Sequence, residues 1–354
     1  MNNKIKIGII GTGSISNMHM IGYNNLPDDV EVIACCDLNL ERAKAYAQKY
    51  GIEHVFQDYN EMLKMPEIDA VSVATWNNGH APVSIAALKA GKNVLCEKPM
   101  AMNTNEAMEM EKAAKDSEKL LMIGFCRRFG QNISIMKDFM KNDRIGDIYL
   151  IQTKCIRRAG NPCGWFSDLK RSGGGPLIDL GVHVIDLGRF LMDKPKAVSV
   201  YGITFNKLGT RLNLKEYSRY SPVDVDSYCD VEDSCLAMIR FDNGAMLTVE
   251  VSFSDHIQEN EKLTLQVHGT KAGAMIEPNL EIYGEMDDYL ITTKPSYSAD
   301  ENYFQSSFLR EIKHFVDCLK NGSECINPPE DGVEMMKILD AIYESARTGH
   351  EVRL

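Results

Sequence analysis

The 354-residue sequence has no apolar run that approaches the roughly 18 residues of a spanning helix, which argues against a membrane-embedded chain. It has no excess of positive charge. Lys and Arg number 39 against 50 Asp and Glu, so the net charge is −11, and neither nucleic acid nor anionic membrane is expected as a partner. No Walker loop, HExxH helix or GxSxG elbow occurs, and no basic patch is interleaved with aromatics. The start, Met1-Asn-Asn-Lys-Ile-Lys-Ile7, lacks the apolar stretch and small-residue cleavage site of a secretory signal, so a cytoplasmic protein is expected. Ten cysteines are present, but no pair has CxxC spacing. They are scattered through apolar, strand-like and loop segments, which predicts reduced thiols, no disulfide framework and no metal site.

What is present is a full-sized globular chain, 44% apolar and 25% charged, long enough for about two domains. Its first half alternates short apolar strands (Ile5–Ile10, Val30–Cys36, His54–Phe56, Ala70–Ala74, Asn93–Cys96, Leu120–Phe125) with helical segments such as Leu40–Tyr50 and Ala81–Ala90. That alternation predicts a doubly wound parallel sheet. The first strand runs into Gly11-Thr-Gly13-Ser14-Ile15-Ser16. Gly11 suits the tight turn, and Gly13 lets backbone approach a pyrophosphate at the N-terminus of the helix that follows (Asn17–Leu26), with Ser14 and Ile15 as further cofactor contacts. Ser16 stands where a third glycine is usual. Asp37 ends the second strand, where a carboxylate would accept hydrogen bonds from the adenosine ribose. It favours the free 2′-hydroxyl of NAD over the 2′-phosphate of NADP, with nearby Arg42 expected to face solvent. A plain strand–turn–helix with no ligand is the alternative.

After Phe125 the pattern becomes strand-rich, with runs at 147–158, 196–206, 232–241, 245–253, 262–268 and 280–291. Asp242-Asn243-Gly244 is a hairpin signal, and 310–319 and 333–347 read as closing helices. The prediction is an α+β domain on a large, mostly antiparallel open sheet, with boundaries at 1–125 and 126–354 and with the closing helices able to pack back on the first domain.

Two constellations carry chemistry. Glu97-Lys98-Pro99 lies at the carboxyl end of the fifth strand, the edge where parallel sheets bind ligands. A lysine there can stabilise developing charge on an oxygen, though alone the tripeptide reads equally as a solvated turn. The second is Gly173-Gly-Gly-Pro-Leu-Ile-Asp179-Leu-Gly-Val-His183-Val-Ile-Asp186. Three glycines and a proline predict a flexible entry to a helix, with Asp179, His183 and Asp186 on one face of an otherwise apolar segment. An Asp/His pair so placed reads as a polarised acid–base group, the alternative being a buried hydrogen-bonded pair.

These segments, with Ala74-Thr75-Trp76-Asn77-Asn-Gly-His80 and Val231-Glu-Asp233, occur in an order that resembles the Gfo/Idh/MocA oxidoreductases over essentially the whole chain. The resemblance implies a Rossmann domain followed by an α/β domain whose open sheet forms a homodimer or homotetramer interface. It implies that Lys98 is the catalytic lysine, His183 the acid–base histidine and Asp179 the acid that positions it and grips substrate. Thr75, Asn77, His80 and Glu97 correspond to residues around the nicotinamide, and Arg127 and Trp165 to substrate- or cofactor-facing positions. The implied reaction is hydride transfer between nicotinamide and a secondary alcohol of a sugar, cyclitol or related polyol. His183 would take the hydroxyl proton while Lys98 hydrogen-bonds to the oxygen. Relatives that keep NAD bound and oxidise a sugar transiently for elimination or hydrolysis supply a second expectation, and a nucleotide-bound sensor a third. The segment 205–230 matches least well, and Trp76 replaces a frequent proline.

Overall fold

A computed structural model describes residues 4–209, 211, 228–297 and 303–354. They fall into two compact units: the described residues of Met1–Phe129 with Glu301–Met336, and those of Gly130–Asp300 with Lys337–Leu354.

The first unit alternates strand and helix: β1 (Ile5–Ile10), α1 (Ser14–Asn24), β2 (Val30–Cys36), α2 (Leu40–Tyr50), β3 (His54–Phe56), α3 (Tyr59–Leu63), β4 (Ala70–Val73), α4 (Asn77–Lys89), β5 (Asn93–Glu97), α5 (Thr104–Ser117) and β6 (Leu121–Gly124). All six strands are parallel in the order β3-β2-β1-β4-β5-β6. The chain reverses direction of sheet growth between β1 and β4, the switch point at whose carboxyl edge ligands bind. Helix α5 was not expected. Its buried face is only Ala107, Met110, Ala113 and Ala114, a weak apolar stripe among charges. A capping signal marks it nonetheless: the Asn103 side chain accepts from Glu106 N–H at 3.0 Å and donates to the Glu106 carboxylate at 3.1 Å.

Within this unit helix α9 (Tyr303–Asn321), which begins seven residues before the expected Arg310, packs on α1. Gly22 makes that packing possible, since a Cβ there would lie 2.7 Å from Cβ of Ile312. Ile312, Phe315 and Val316 join Ile7, Ile9, Met20 and Tyr23 in the core.

The second unit holds α6 (Gln131–Lys141), β7 (Ile148–Arg157), α7 (Leu169–Ser172), α8 (Val182–Leu191), β8 (Ala197–Phe205), β9 (Ser234–Phe241), β10 (Met246–Ser252), β11 (Glu261–Gly269), β12 (Gly273–Glu277), β13 (Glu281–Met286), β14 (Tyr289–Thr293), and β15 (Val352–Arg353). Helix α10 (Pro329–Thr348) gives its residues through Met336 to the first unit and the rest to this one. Nine strands form one sheet in the order β14-β13-β12-β11-β7-β10-β9-β8-β15, antiparallel except for β7 beside β10. The expected hairpin joins β9 to β10, with Gly244 at φ +85 and Asn243 Oδ1 accepting from Ala245 N–H. The single run expected at 280–291 is two strands, because Asp287 and Asp288 both take positive φ and turn the chain. β12 was not expected, and β15, two residues long, is too short to read from pattern. Of the segment 205–230, residues 210 and 212–227 lie outside the described residues.

Candidate active site

In the first unit, the carboxyl ends of β1, β2, β4 and β5 carry the sequence-derived cofactor residues. Gly11 turns the chain at φ +92, and a Cβ there would lie 2.4 Å from the carbonyl oxygen of Ala74. Only glycine fits both demands. Gly13 is the N-cap of α1, and a Cβ placed on it meets nothing within 4 Å. No side chain caps α1, whereas Asn39 and Asn103 cap α2 and α5. The α1 terminus therefore presents backbone N–H donors into open space, flanked by exposed Ser14 and half-buried Ile15. That cradle fits a dinucleotide pyrophosphate. Ser16 fills the place of the third glycine without loss of packing: it is fully buried, its hydroxyl donates to Gly13 O at 2.7 Å, and its carbonyl accepts from the Tyr46 hydroxyl at 2.9 Å.

Asp37 is buried and heavily engaged. Its Oδ2 accepts from Thr12 N–H (2.9 Å), the Thr12 hydroxyl (2.8 Å) and Arg42 Nε (3.0 Å). Its Oδ1 accepts from Asn39 N–H (2.8 Å) and Arg42 Nη2 (2.7 Å). Arg42 thus does not simply face solvent as expected; it folds back from the first turn of α2 in a two-pronged pair. Burial alone would raise the Asp37 pKa, but the Arg42, Asn39 and Thr12 donors outweigh it and hold the carboxyl below its ordinary value. The contribution to stability is present above the unfolded aspartate pKa of about 3.9 and is lost as pH falls through the lower folded value. Urea midpoints of wild type and Asp37→Asn are expected to converge on acidification from neutral pH toward pH ~3.

Thr75 follows β4 and donates to Trp76 O at 3.0 Å, and Trp76 is the N-cap of α4. Asn77 and His80 are buried on the first turns of that helix. The His80 ring contacts Pro99 O through Nδ1 at 2.7 Å and Thr75 O through Nε2 at 3.2 Å, bridging the ends of β4 and β5. Desolvation is the main influence on the ring and holds its pKa below the ordinary histidine value.

Glu97, the last residue of β5, is buried; its Oε1 lies 2.9 Å from His19 Nε2 and its Oε2 accepts from Lys98 N–H at 3.1 Å. Lys98 follows half-buried. His19 escaped sequence reading. Its signal was faint, a single histidine one turn beyond Ser16 on the face of α1 that turns inward. Arg127 lies half-buried in a 3-10 turn, Cys126–Phe129, whose neighbour Arg128 is a structural residue paired with Asp331 at 2.8 Å.

The second unit organises Asp179 and His183. The segment is not one regular helix: Leu177–Gly181 is a π-helical turn, with Val182 N–H reaching back to Leu177 O, and α8 begins only at Val182. The three glycines are not a flexible entry. Gly173 closes α7 at φ +80, and a Cβ on Gly174 or Gly175 would lie 2.0 Å from the Tyr343 hydroxyl or from Glu232 O. From 174 to 189 every residue is buried except Asp179 and His183, which are half-buried. Asp186, expected on the same face, is only 1% exposed and does not share their access.

Glu232 anchors this turn, a role not assigned to it when Val231-Glu-Asp233 was matched from sequence. Its carboxylate accepts from Gly175 N–H (2.9 Å), Leu177 N–H (3.1 Å) and the Tyr343 hydroxyl (2.9 Å). Desolvation is strong enough to raise its pKa despite those donors. Next to it, Asp233 caps residues 207–209, accepting Gly209 N–H at 2.9 Å and those of Lys207 and Leu208. Trp165 is half-buried and stacks on Phe166 with ring centroids 3.9 Å apart. The thiols beside these loops are poor reaction partners, since Cys126 and Cys163 are each 1% exposed and burial pushes the Cys126 thiol well up.

Residues 5–125 match the family description "Oxidoreductase family, NAD-binding Rossmann fold", and residues 137–354 match its "C-terminal alpha/beta domain". The chain belongs to the Gfo/Idh/MocA oxidoreductase family. Among curated relatives, D-glucoside 3-dehydrogenase of Escherichia coli is 33% identical over 100% of this chain and 98% of its own. Myo-inositol 2-dehydrogenase of Thermotoga maritima is 27% identical over 99% of this chain and 98% of its own. Of solved structures, levoglucosan dehydrogenase in complex with NADH superposes with a TM-score of 0.86 at 25% identity, covering 99% of both chains. As a member of this family the protein is an oxidoreductase acting on CH–OH groups, and its first unit is an NAD-binding Rossmann domain. Among the described residues no helix is long and apolar enough to cross a membrane.

Proposed function

We propose that the protein is a dehydrogenase that oxidises a secondary alcohol of a sugar, glucoside or cyclitol, with NAD preferred over NADP. The observation that carries the reading is the Asp179/His183 pair, alone left accessible on a buried segment whose entry is fixed by Glu232. A polar pair held in that way suits proton transfer from a hydroxyl. Bound nicotinamide supplies the acceptor for the carbon-bound hydride. His183 takes the hydroxyl proton, Asp179 orients His183 and grips a neighbouring hydroxyl, and the Lys98 ammonium donates to the oxygen on which charge develops. The names of the relatives, a glucoside, an anhydrosugar and an inositol dehydrogenase, support a ring bearing adjacent hydroxyls as substrate. The test is NAD(P)-linked oxidation over a panel of sugars, glucosides, sugar acids and inositols. NADH formation on at least one class is expected; substrate conversion with no NADH, on enzyme carrying tightly bound nucleotide, would move the reading to transient oxidation.

The cofactor preference rests on Asp37. Its pair with Arg42 places the guanidinium where it can be released by one substitution. Asp37→Ser removes the carboxylate from the ribose site and frees Arg42 for a phosphate. With charge-assisted bonds worth about 1.5–3 kcal/mol each, KM for NAD is expected to rise roughly tenfold or more while KM for NADP falls. Steady-state kinetics with both cofactors check this.

The open sheet supports self-association. Tyr201, Ile203, Leu236 and Met238 on β8 and β9 are each 43–49% exposed and lie side by side on one face, an apolar patch unusual for a monomer. A second copy of the chain is the proposed occupant, giving a dimer or tetramer. Leu236→Lys with Met238→Lys is expected to shift the mass in light scattering toward the monomer; an unchanged mass would place the interface elsewhere.

A further inference from the structure

Scattered cysteines gave no reason to expect a metal site, yet the fold gathers two of them with a histidine. His314 and Cys318 lie four apart on one face of α9. The chain then turns at Gly322, φ +64, and returns Cys325 beside them. His314 Nε2 and Cys318 Sγ are 3.5 Å apart, and the ligand atoms of all three residues lie within 4.8 Å of one another. Each residue is half-buried, so the group is both sheltered and reachable. With Zn–S near 2.3 Å and Zn–N near 2.0–2.1 Å, a tetrahedral ion spaces sulfur and nitrogen about 3.5 Å apart, the separation seen here.

We propose that His314, Cys318 and Cys325 form a binding site for a thiophilic d10 cation, with Zn2+ as the reference ion and water as the fourth ligand. Two sulfurs and an imidazole without a carboxylate select against Ca2+ and Mg2+. Ile326 N–H donates to His314 Nε2 at 3.1 Å, a bond that an ion bound through this nitrogen would replace. The loop so clamped is not idle. Ile326 O accepts from Arg128 Nη1 at 2.5 Å, and Asn327 pairs with the backbone of Ile123 in β6 at 2.9 and 3.0 Å. The ion therefore ties α9 to the segment that fixes Arg128 and the end of β6.

The test uses full-length, tag-free protein stripped by chelator under reducing conditions and titrated with Co2+, then Zn2+. One equivalent of Co2+ is expected to give a thiolate charge-transfer band that Zn2+ bleaches. Cys325→Ser or Cys318→Ser should weaken binding on the order of a hundredfold, and the double variant should lose the band while keeping its circular dichroism and NAD affinity. In the unsubstituted protein, Zn2+ should slow alkylation of Cys318 and Cys325 selectively. Absence of the band, an unchanged titration in the double variant, alkylation indifferent to Zn2+, or a Cys318–Cys325 disulfide in protein kept reduced would each overturn the proposal.

Discussion

Lys98→Met is expected to lower kcat by roughly 10²–10³-fold with little change in NAD affinity, the loss typical of one donor aimed at a developing oxyanion. The expectation follows from how the lysine is held. β5 is buried from Val94 to Glu97, and Glu97 at its end is fixed twice, to His19 on α1 at 2.9 Å and to Lys98 N–H at 3.1 Å. The backbone that launches the ammonium is therefore set by a buried pair, while the side chain itself is half-buried. On the proposed reading NAD is held by the Gly11–Gly13 turn, the α1 terminus and Asp37, none of which the substitution touches. Isothermal titration with NAD beside turnover on the best substrate separates the two terms. Retention of full turnover would sink the assignment, and a parallel loss of NAD affinity would make Lys98 a cofactor residue instead.

Much of this was legible in residues whose chemistry is local. Gly11, Gly13 and Asp37 could be picked out because a tight turn, an open helix terminus and a carboxylate ending the second strand each follow from residue type and spacing, and the structure places them at the carboxyl ends of β1 and β2. The parallel sheet was readable from its short apolar runs alternating with helical segments. What escaped was whatever depends on contacts distant in sequence. His19 reaches Glu97 across 78 residues, and Glu232 caps a turn 55–57 residues upstream. Neither leaves a periodic trace. The run of glycines read as flexibility because their neighbours, Tyr343 and Glu232, are invisible from the local string. The π-helical turn at Leu177–Gly181 is likewise hidden, since its apolar residues suit an α-helix as well. Arg42 was read as solvent-facing because its pair with Asp37, five residues back across the turn into α2, leaves no mark in the helical pattern.

His183→Ala is expected to lower kcat by about 10²–10⁴-fold, the usual contribution of a positioned general base. The substitution is well suited to the question because the side chain is one of two accessible groups on a segment that is otherwise buried from 174 to 189. Removing an imidazole that is only half-buried leaves the surrounding packing of Val182, Val184 and Ile185 in place, so unfolding is not the expected cause of lost activity. Added imidazole should restore part of the rate, because the truncation opens space for the missing ring. A structural role predicts no such rescue, and neither does a role confined to gripping substrate. Asp179→Asn is the companion: it keeps size and hydrogen bonding but loses the charge that steadies a protonated His183. Its effect is expected in kcat as well as KM, whereas a side chain that only grips a neighbouring hydroxyl and binds ground and transition states equally would move KM alone.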